Sequence, residues 1–275
     1  MKERPNLLAD RRNLLLGLGA AGGAFVGAQM PAGAAAPPVV GDNVAAAPPS
    51  DRTGQHQPFY GRHQAGVVTP RPAAGLVASF DVIATTPADL ARLFRTLTER
   101  AAFLTQGGAP PDLDPRFPPA DSGILGPVVT PDNLTVTVAV GASLFDERFG
   151  LAAHKPVRLQ RMSRFRNDAL DAGLCHGDLS VQFCANTPDT IIHALRDVVK
   201  NLPDLLVLRW LQQGSVPEIP VVTGKPAESA RNFLGFRDGS ANPNSADPVL
   251  MDRLVWVQGG SDEPDWATYG TYQAV

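Results

Sequence analysis

The hydrophobic and polar positions between residues 75 and 211 change period several times, and each change predicts an element. "GLVASFDVIA" (75–84) is a continuous apolar run of the length of a buried strand. Thr86 follows as a helix cap, with Pro87 at the first helical position. Leu90, Leu93, Phe94, Leu97, Ala101 and Leu104 then recur at helical spacing until Gly107-Gly108 ends the pattern. "LTVTVAV" (134–140) alternates strictly and predicts a strand with one apolar face. A long irregular stretch, 141–177, is rich in Arg and Asp. "DLSVQFCA" (178–185) alternates again, and Thr187-Pro188 opens a second helix. Its apolar face is predicted to hold Ile191, Ile192, Leu195, Val198 and Val199. "DLLVLRWL" (204–211) supplies a fourth strand.

The order β-α-β-β-α-β is the split βαβ, or ferredoxin-like, unit of the α+β class. Its antiparallel sheet carries two helices on one face. The other face, expected to be apolar, needs a second layer, a ligand or a partner. This first half is assigned to residues 56–214. Residues 215–275 are assigned to a linker, "SVPEIPVVTGKPAES", and the beginning of a second ferredoxin-like domain. Thr271 to Val275 is predicted to start a strand, so the second domain reads as incomplete.

The N-terminal composition differs from the rest. Lys2, Arg4, Arg11 and Arg12 precede a Gly/Ala-rich apolar stretch, Leu14 to Gln29. Small residues at Ala32-Gly33-Ala34 and Ala34-Ala35-Ala36 offer cleavage sites. Residues 1–36 are therefore expected to be an export signal, and Arg11-Arg12 points to the twin-arginine route and a periplasmic protein. The stretch is too short and too rich in glycine for a stable membrane span. Gly17 to Gly22 matches a dinucleotide fingerprint, but without the strand–turn–helix setting that gives it meaning. Residues 37–55 read as a disordered tether.

The charge balance, 24 basic against 27 acidic residues, is near neutral and implies no nucleic-acid partner. Cys175 and Cys184 flank a predicted strand that would hold them roughly 30 Å apart, too far for a disulfide, so both are expected to be free thiols.

"GFRDGSANP" (235–243) is the most unusual chemistry in the chain, because it places Asp238 between Arg237 and Gly239 ahead of an Asn-Pro stop. Taken alone, it is a Gly/Asp turn closed by Asn-Pro. It also resembles the G-x-x-D-G motif of the dye-decolorizing (DyP-type) haem peroxidases. "GRHQAGVVTP", "GASLFDERFG", "CHGDLSVQFCAN", "HALRDVV" and "DEPDWATYGTYQAV" are similar to the exported bacterial branch of that family, which is associated with iron uptake. The resemblance covers about residues 55–275.

The resemblance implies two ferredoxin-like halves with haem b held in the second. It implies hydrogen peroxide and an organic reductant, or haem itself, as partners, and it is compatible with a homo-oligomer. Asp238 corresponds to the distal acid–base residue, which takes a proton from one peroxide oxygen and delivers it to the other so that water departs. Gly239, Ser240 and Ala241 match the segment that lines the haem. Gly235 and Gly239 would let the backbone approach the porphyrin where a Cβ would clash. The family's axial histidine and distal arginine are expected beyond Val275. None of His56, His63, His154, His176 and His193 is assigned to iron. His193 is expected on a solvated helix face, and His154 and His176 in plain hydrogen bonds. Trp210, Trp256, Trp266, Tyr269 and Tyr272 are candidates for electron transfer to bulky substrates, with ordinary packing the default for each. The alternative reading is a truncated, non-catalytic fragment that binds haem weakly or not at all.

Overall fold

A computed structural model describes residues 52–70, 72–110, 116, 119, 121–216, 229–237, 239 and 241–275. These residues belong to the unit Pro49–Val275. The expected export signal, most of the tether and much of the linker lie outside them.

The elements are β1 (Ala74–Val82), α1 (Pro87–Gln106), β2 (Thr135–Val140), β3 (Leu179–Ala185), α2 (Pro188–Asn201), β4 (Leu206–Ser215) and α3 (Pro248–Leu254). The sheet runs β2-β3-β1-β4 with every pairing antiparallel, which is the ferredoxin-like order. Helix α1 starts where Thr86 leaves the extended region and its hydroxyl accepts the Asp89 N–H at 3.1 Å. It ends at Gly107, whose φ of 73° suits a residue without a Cβ. Both α1 and α2 carry proline in the first turn, where the missing N–H costs nothing.

Register divides the sheet into two unlike faces. Val136, Phe183 and Leu76 align across β2, β3 and β1, as do Val138, Val181 and Ala78. These residues meet Leu93, Leu97 and Leu104 of α1 and Ile191, Ala194 and Val198 of α2 in one core. Each large apolar side chain fully buried there contributes about 1.5–3 kcal/mol. The opposite face reads Thr137, Gln182, Val77 and Gln212 in one row and Ala139, Ser180, Ser79 and Trp210 in the next. The expectation that this free face is apolar is therefore wrong. Strict alternation put the hydrophobic residues on the helix side and left hydroxyls and amides outside.

Three further expectations are corrected. His193 is buried, 2% exposed, and its Nε2 lies 2.6 Å from Asp121 Oδ2. The loop between α1 and β2 covers that side of α2, so the helix buries Thr190, His193 and Asp197 and turns Val199 to solvent. Asp197 then takes a two-pronged ion pair from Arg100 of α1, at 2.8 and 2.6 Å. Residues 271–275 form no strand. Helix α3 was not foreseen, although Asp247 caps it by accepting from the Val249 and Leu250 N–H groups, both at 3.0 Å. At the other end, Asp132 N–H and Asn133 N–H donate to the Thr53 and Gln55 carbonyls, so the last residues read as tether are bound to the fold.

Candidate functional site

The free sheet face forms the floor of an open groove of about 2310 Å³. Its rim comes from three irregular segments: 57–67, 156–176 and 254–275. The first crosses the β2 edge, where the Gln64 amide donates to the Val138 carbonyl at 3.0 Å and accepts the Val138 N–H at 2.9 Å. Gly66 then passes so close that a Cβ would sit 2.2 Å from the Thr137 hydroxyl. Only glycine fits there, which explains the glycine of the "HQAG" run.

The segment 254–275 is fastened at four points. Glu263, 7% exposed, accepts the Val157 N–H at 2.8 Å and the Arg158 guanidinium at 2.9 Å. Burial pushes its carboxyl up, and hydrogen bonds from the Tyr272 hydroxyl and the Val157 and Arg158 amides more than reverse this, so it titrates below the usual glutamate range. Burial, with the same bond to Glu263, pushes Tyr272 up to about 12. Trp266 donates to the His154 carbonyl at 2.9 Å and stacks near Phe145. His63 lies 3.9 Å from the Trp256 ring in a parallel stack, with Nδ1 3.0 Å from the Tyr269 carbonyl. Gln273 donates to Gln182 on the groove floor at 3.0 Å.

The turn that carries the predicted acid–base residue precedes this segment. Asn232 builds it: its side-chain oxygen accepts the Leu234 and Phe236 N–H groups, both at 3.1 Å, and its own N–H donates to the Phe236 carbonyl at 2.9 Å. Arg231 donates to the Gly235 carbonyl at 2.9 Å, and an antiparallel bridge joins Arg231 to Arg237. Gly235 and Gly239 have φ of 85° and 71°, the left-handed region. A Cβ at Gly235 would meet nothing within 4 Å, and one at Gly239 would meet only the Asn242 amide at 3.5 Å. Backbone conformation, rather than crowding, is what these glycines satisfy in the described residues. Asn232 was overlooked in the sequence, although an Asn two residues before an apolar-Gly pair is a recognisable side-chain-capped turn.

Of the predicted site residues, Asp238 and Ser240 lie outside the described residues, while Gly239 and Ala241 are exposed in the turn. Phe233, Leu234 and Phe236 are exposed beside them. Among the described residues no three His, Cys, Asp or Glu side chains converge on a metal position. Three histidines spend a ring nitrogen elsewhere: His63 on Tyr269, His176 on Arg161 and His193 on Asp121. The hydrogen-bonding role expected of His176 is thus what is found. Both cysteines are free, and burial pushes the Cys184 thiol up. Among the aromatic candidates, Trp256 is buried, while Trp266, Tyr269 and Tyr272 are partly exposed. Trp210 donates to the His176 carbonyl at 2.7 Å.

Residues 64–215 match the Dyp-type peroxidase N-terminal family and residues 229–275 match the Dyp-type peroxidase C-terminal family. The first match alone spans more than half the chain. The chain belongs to the Dyp-type peroxidase family. A Deferrochelatase from Yersinia pseudotuberculosis is 52% identical over 270 residues, which cover 97% of this chain and 60% of that protein. A DyP-type peroxidase from Streptomyces coelicolor superposes with a TM-score of 0.68 at 30% identity, covering 82% of this chain and 57% of the other. DtpA from Streptomyces lividans, solved as an oxyferrous/water mixed complex, gives a TM-score of 0.67 at 31% identity over 81% of this chain and 57% of the other. The chain therefore spans somewhat more than half the length of the relatives it matches.

Proposed function

We propose that the chain forms part of a haem-dependent peroxidase that reduces hydrogen peroxide while oxidising bulky dye-like substrates or acting on haem in the manner of a deferrochelatase. The observation that carries this reading is the 52% identity to a Deferrochelatase over nearly the whole chain. The oxyferrous complex of DtpA supports iron as the reacting centre of such proteins. Asp238 is the proposed acid–base group, with Gly239, Ser240 and Ala241 lining haem b. The aspartate would hold and return the peroxide proton.

The test uses the protein completed to its relatives' length and loaded with haem. Asp238→Asn is expected to keep the haem absorption band and to slow the reaction with peroxide by about 10²- to 10⁴-fold. Equal stopped-flow rates in variant and wild type would remove Asp238 from this role. The proposed setting is the periplasm, reached by the twin-arginine route. Replacing Arg11 and Arg12 by lysine is expected to leave the protein in the cytoplasm, and undiminished export would rule that route out.

A further inference from the structure

A smaller cleft, about 500 Å³, is lined by Arg62, His63 and Val68 on one side and by residues of α3 and its flanks on the other. That volume suits a small molecule. Val68, Pro248, Val249 and Met251 give it an apolar wall. Trp256, buried and stacked on His63 at 3.9 Å, gives it a rigid one. The Tyr269 carbonyl can only accept, so His63 Nδ1 carries the proton and Nε2 is left as an acceptor.

Two opposite charges line this cleft without meeting. The Arg62 guanidinium lies over the Tyr269 ring, 4.1 Å from its centroid, and that contact is its anchor. Asp252 engages Gln258 through its backbone carbonyl, which leaves the carboxylate unspent. Among the described residues neither side chain enters an ion pair. Opposite charges that share an apolar cleft and stay unbridged match a ligand that carries both signs itself.

We propose that this cleft binds a free aliphatic α-amino acid in its zwitterionic form. The ligand carboxylate accepts from Arg62, whose planar fork suits two oxygens. The ligand ammonium donates to the Asp252 carboxylate, with His63 Nε2 as a further acceptor. The aliphatic side chain covers Val68, Val249 and Met251. An amine without a carboxylate meets a like charge at Arg62, and a carboxylate without an amine meets one at Asp252. The site uses neither haem nor peroxide, so it stands apart from the peroxidase reading.

The test is direct binding to the purified chain, with no haem present. L-Leucine is titrated and followed by saturation-transfer NMR. A dissociation constant on the order of 1 mM is expected, the scale of a small ligand in an open cleft. Two analogues each lack one charge: 4-methylpentanoate has no ammonium and 3-methylbutylamine has no carboxylate. Each is expected to bind about tenfold more weakly, as loss of a charge-assisted contact implies. Glycine, with both charges and no apolar body, is expected to bind about tenfold more weakly as well. Arg62→Gln should bind leucine and 3-methylbutylamine alike, and Asp252→Asn should bind leucine and 4-methylpentanoate alike. Misfolding does not produce that crossed pattern. The analogue series needs the wild-type chain alone, so it decides the matter if a variant folds poorly. Analogues or glycine that bind as well as leucine would overturn the proposal. So would variants that discriminate as wild type does, or no leucine binding at roughly ten times the expected constant.

Discussion

Asp178, in the "HGDL" run, is the residue whose replacement tests the architecture most sharply. It stands where β3 begins, 6% exposed, and ties three parts of the chain together. Its carboxylate accepts the Val82 N–H at 3.0 Å and Arg148 Nη2 at 2.9 Å, while its own N–H donates to the Phe80 carbonyl. Arg148 also reaches the Val82 carbonyl at 2.7 Å and Asp146 at 2.7 Å, so β1, β3 and the turn after β2 share one polar knot. Asp178→Ala strands the Val82 N–H in a position only 2% exposed, a loss of about 1–3 kcal/mol. It also removes a charge-assisted bond from Arg148. That guanidinium is about a third exposed and keeps Asp146, so this second loss is only about 1 kcal/mol. The sum, about 2–4 kcal/mol, is a large share of the ~5–15 kcal/mol that holds an ordinary domain. It should lower the melting temperature by roughly 5–15 °C. Asp178→Asn keeps an acceptor for Val82 and should cost about half as much.

The pH dependence separates the charge from the shape. Burial pushes the Asp178 carboxyl up, but the Ser143 hydroxyl, Arg148 and the Val82 N–H more than reverse this, so it titrates below the ordinary aspartate range. A depressed folded value means that the carboxylate stabilises the fold above the unfolded pKa of about 3.9 and that this contribution is lost as pH falls through the folded value. Urea unfolding of wild type and Asp178→Asn should therefore differ most at neutral pH, and the gap should close in acid. An alanine variant within about 0.5 kcal/mol of wild type at neutral pH would refute the argument. So would a wild-type-to-asparagine gap that stays constant into acid.

Two further outcomes are expected. Glu263→Gln should bring the late phenol, the one near 12, back toward the ordinary tyrosine range in a 295 nm titration of the three tyrosines, and should speed amide exchange at Val157 and Arg158. Because the Glu263 carboxyl is depressed, this fastening should persist through neutral pH and loosen only as pH falls through its folded value; a titration unchanged by the substitution would remove Glu263 as the fastening. His193→Ala should cost about 2–4 kcal/mol in denaturant melts, from the cavity and the orphaned Asp121, and a cost below about 0.5 kcal/mol would restore a solvated His193.

Much of the fold was legible because its strands alternate and its helices announce their starts. Thr86-Pro87 and Thr187-Pro188 place both helix starts to the residue, and the β-α-β-β-α-β order follows from them. What the sequence hid is what loops do from a distance. Periodicity ranks positions on α2 by hydrophobicity, so it set His193 outside; Asp121, 72 residues away, covers it. No local pattern reports that a loop will return to bury the polar flank of a helix. The same holds at the candidate site. The Gly/Asp text of 235–239 marks a turn, but Asn232 three residues earlier is what folds it, through bonds an Asx residue makes to its own chain. Glu263 reads as one acid in an acidic run, "SDEPD", and becomes a fastening only because two backbone amides of residues 157 and 158 converge on it. Sequence periodicity encodes contacts within an element, where spacing is fixed by helix or strand geometry. The groove is built from contacts between irregular segments, where spacing is fixed by nothing until the sheet has formed. Its chemistry could be read from residue types in the text, but its assembly could not.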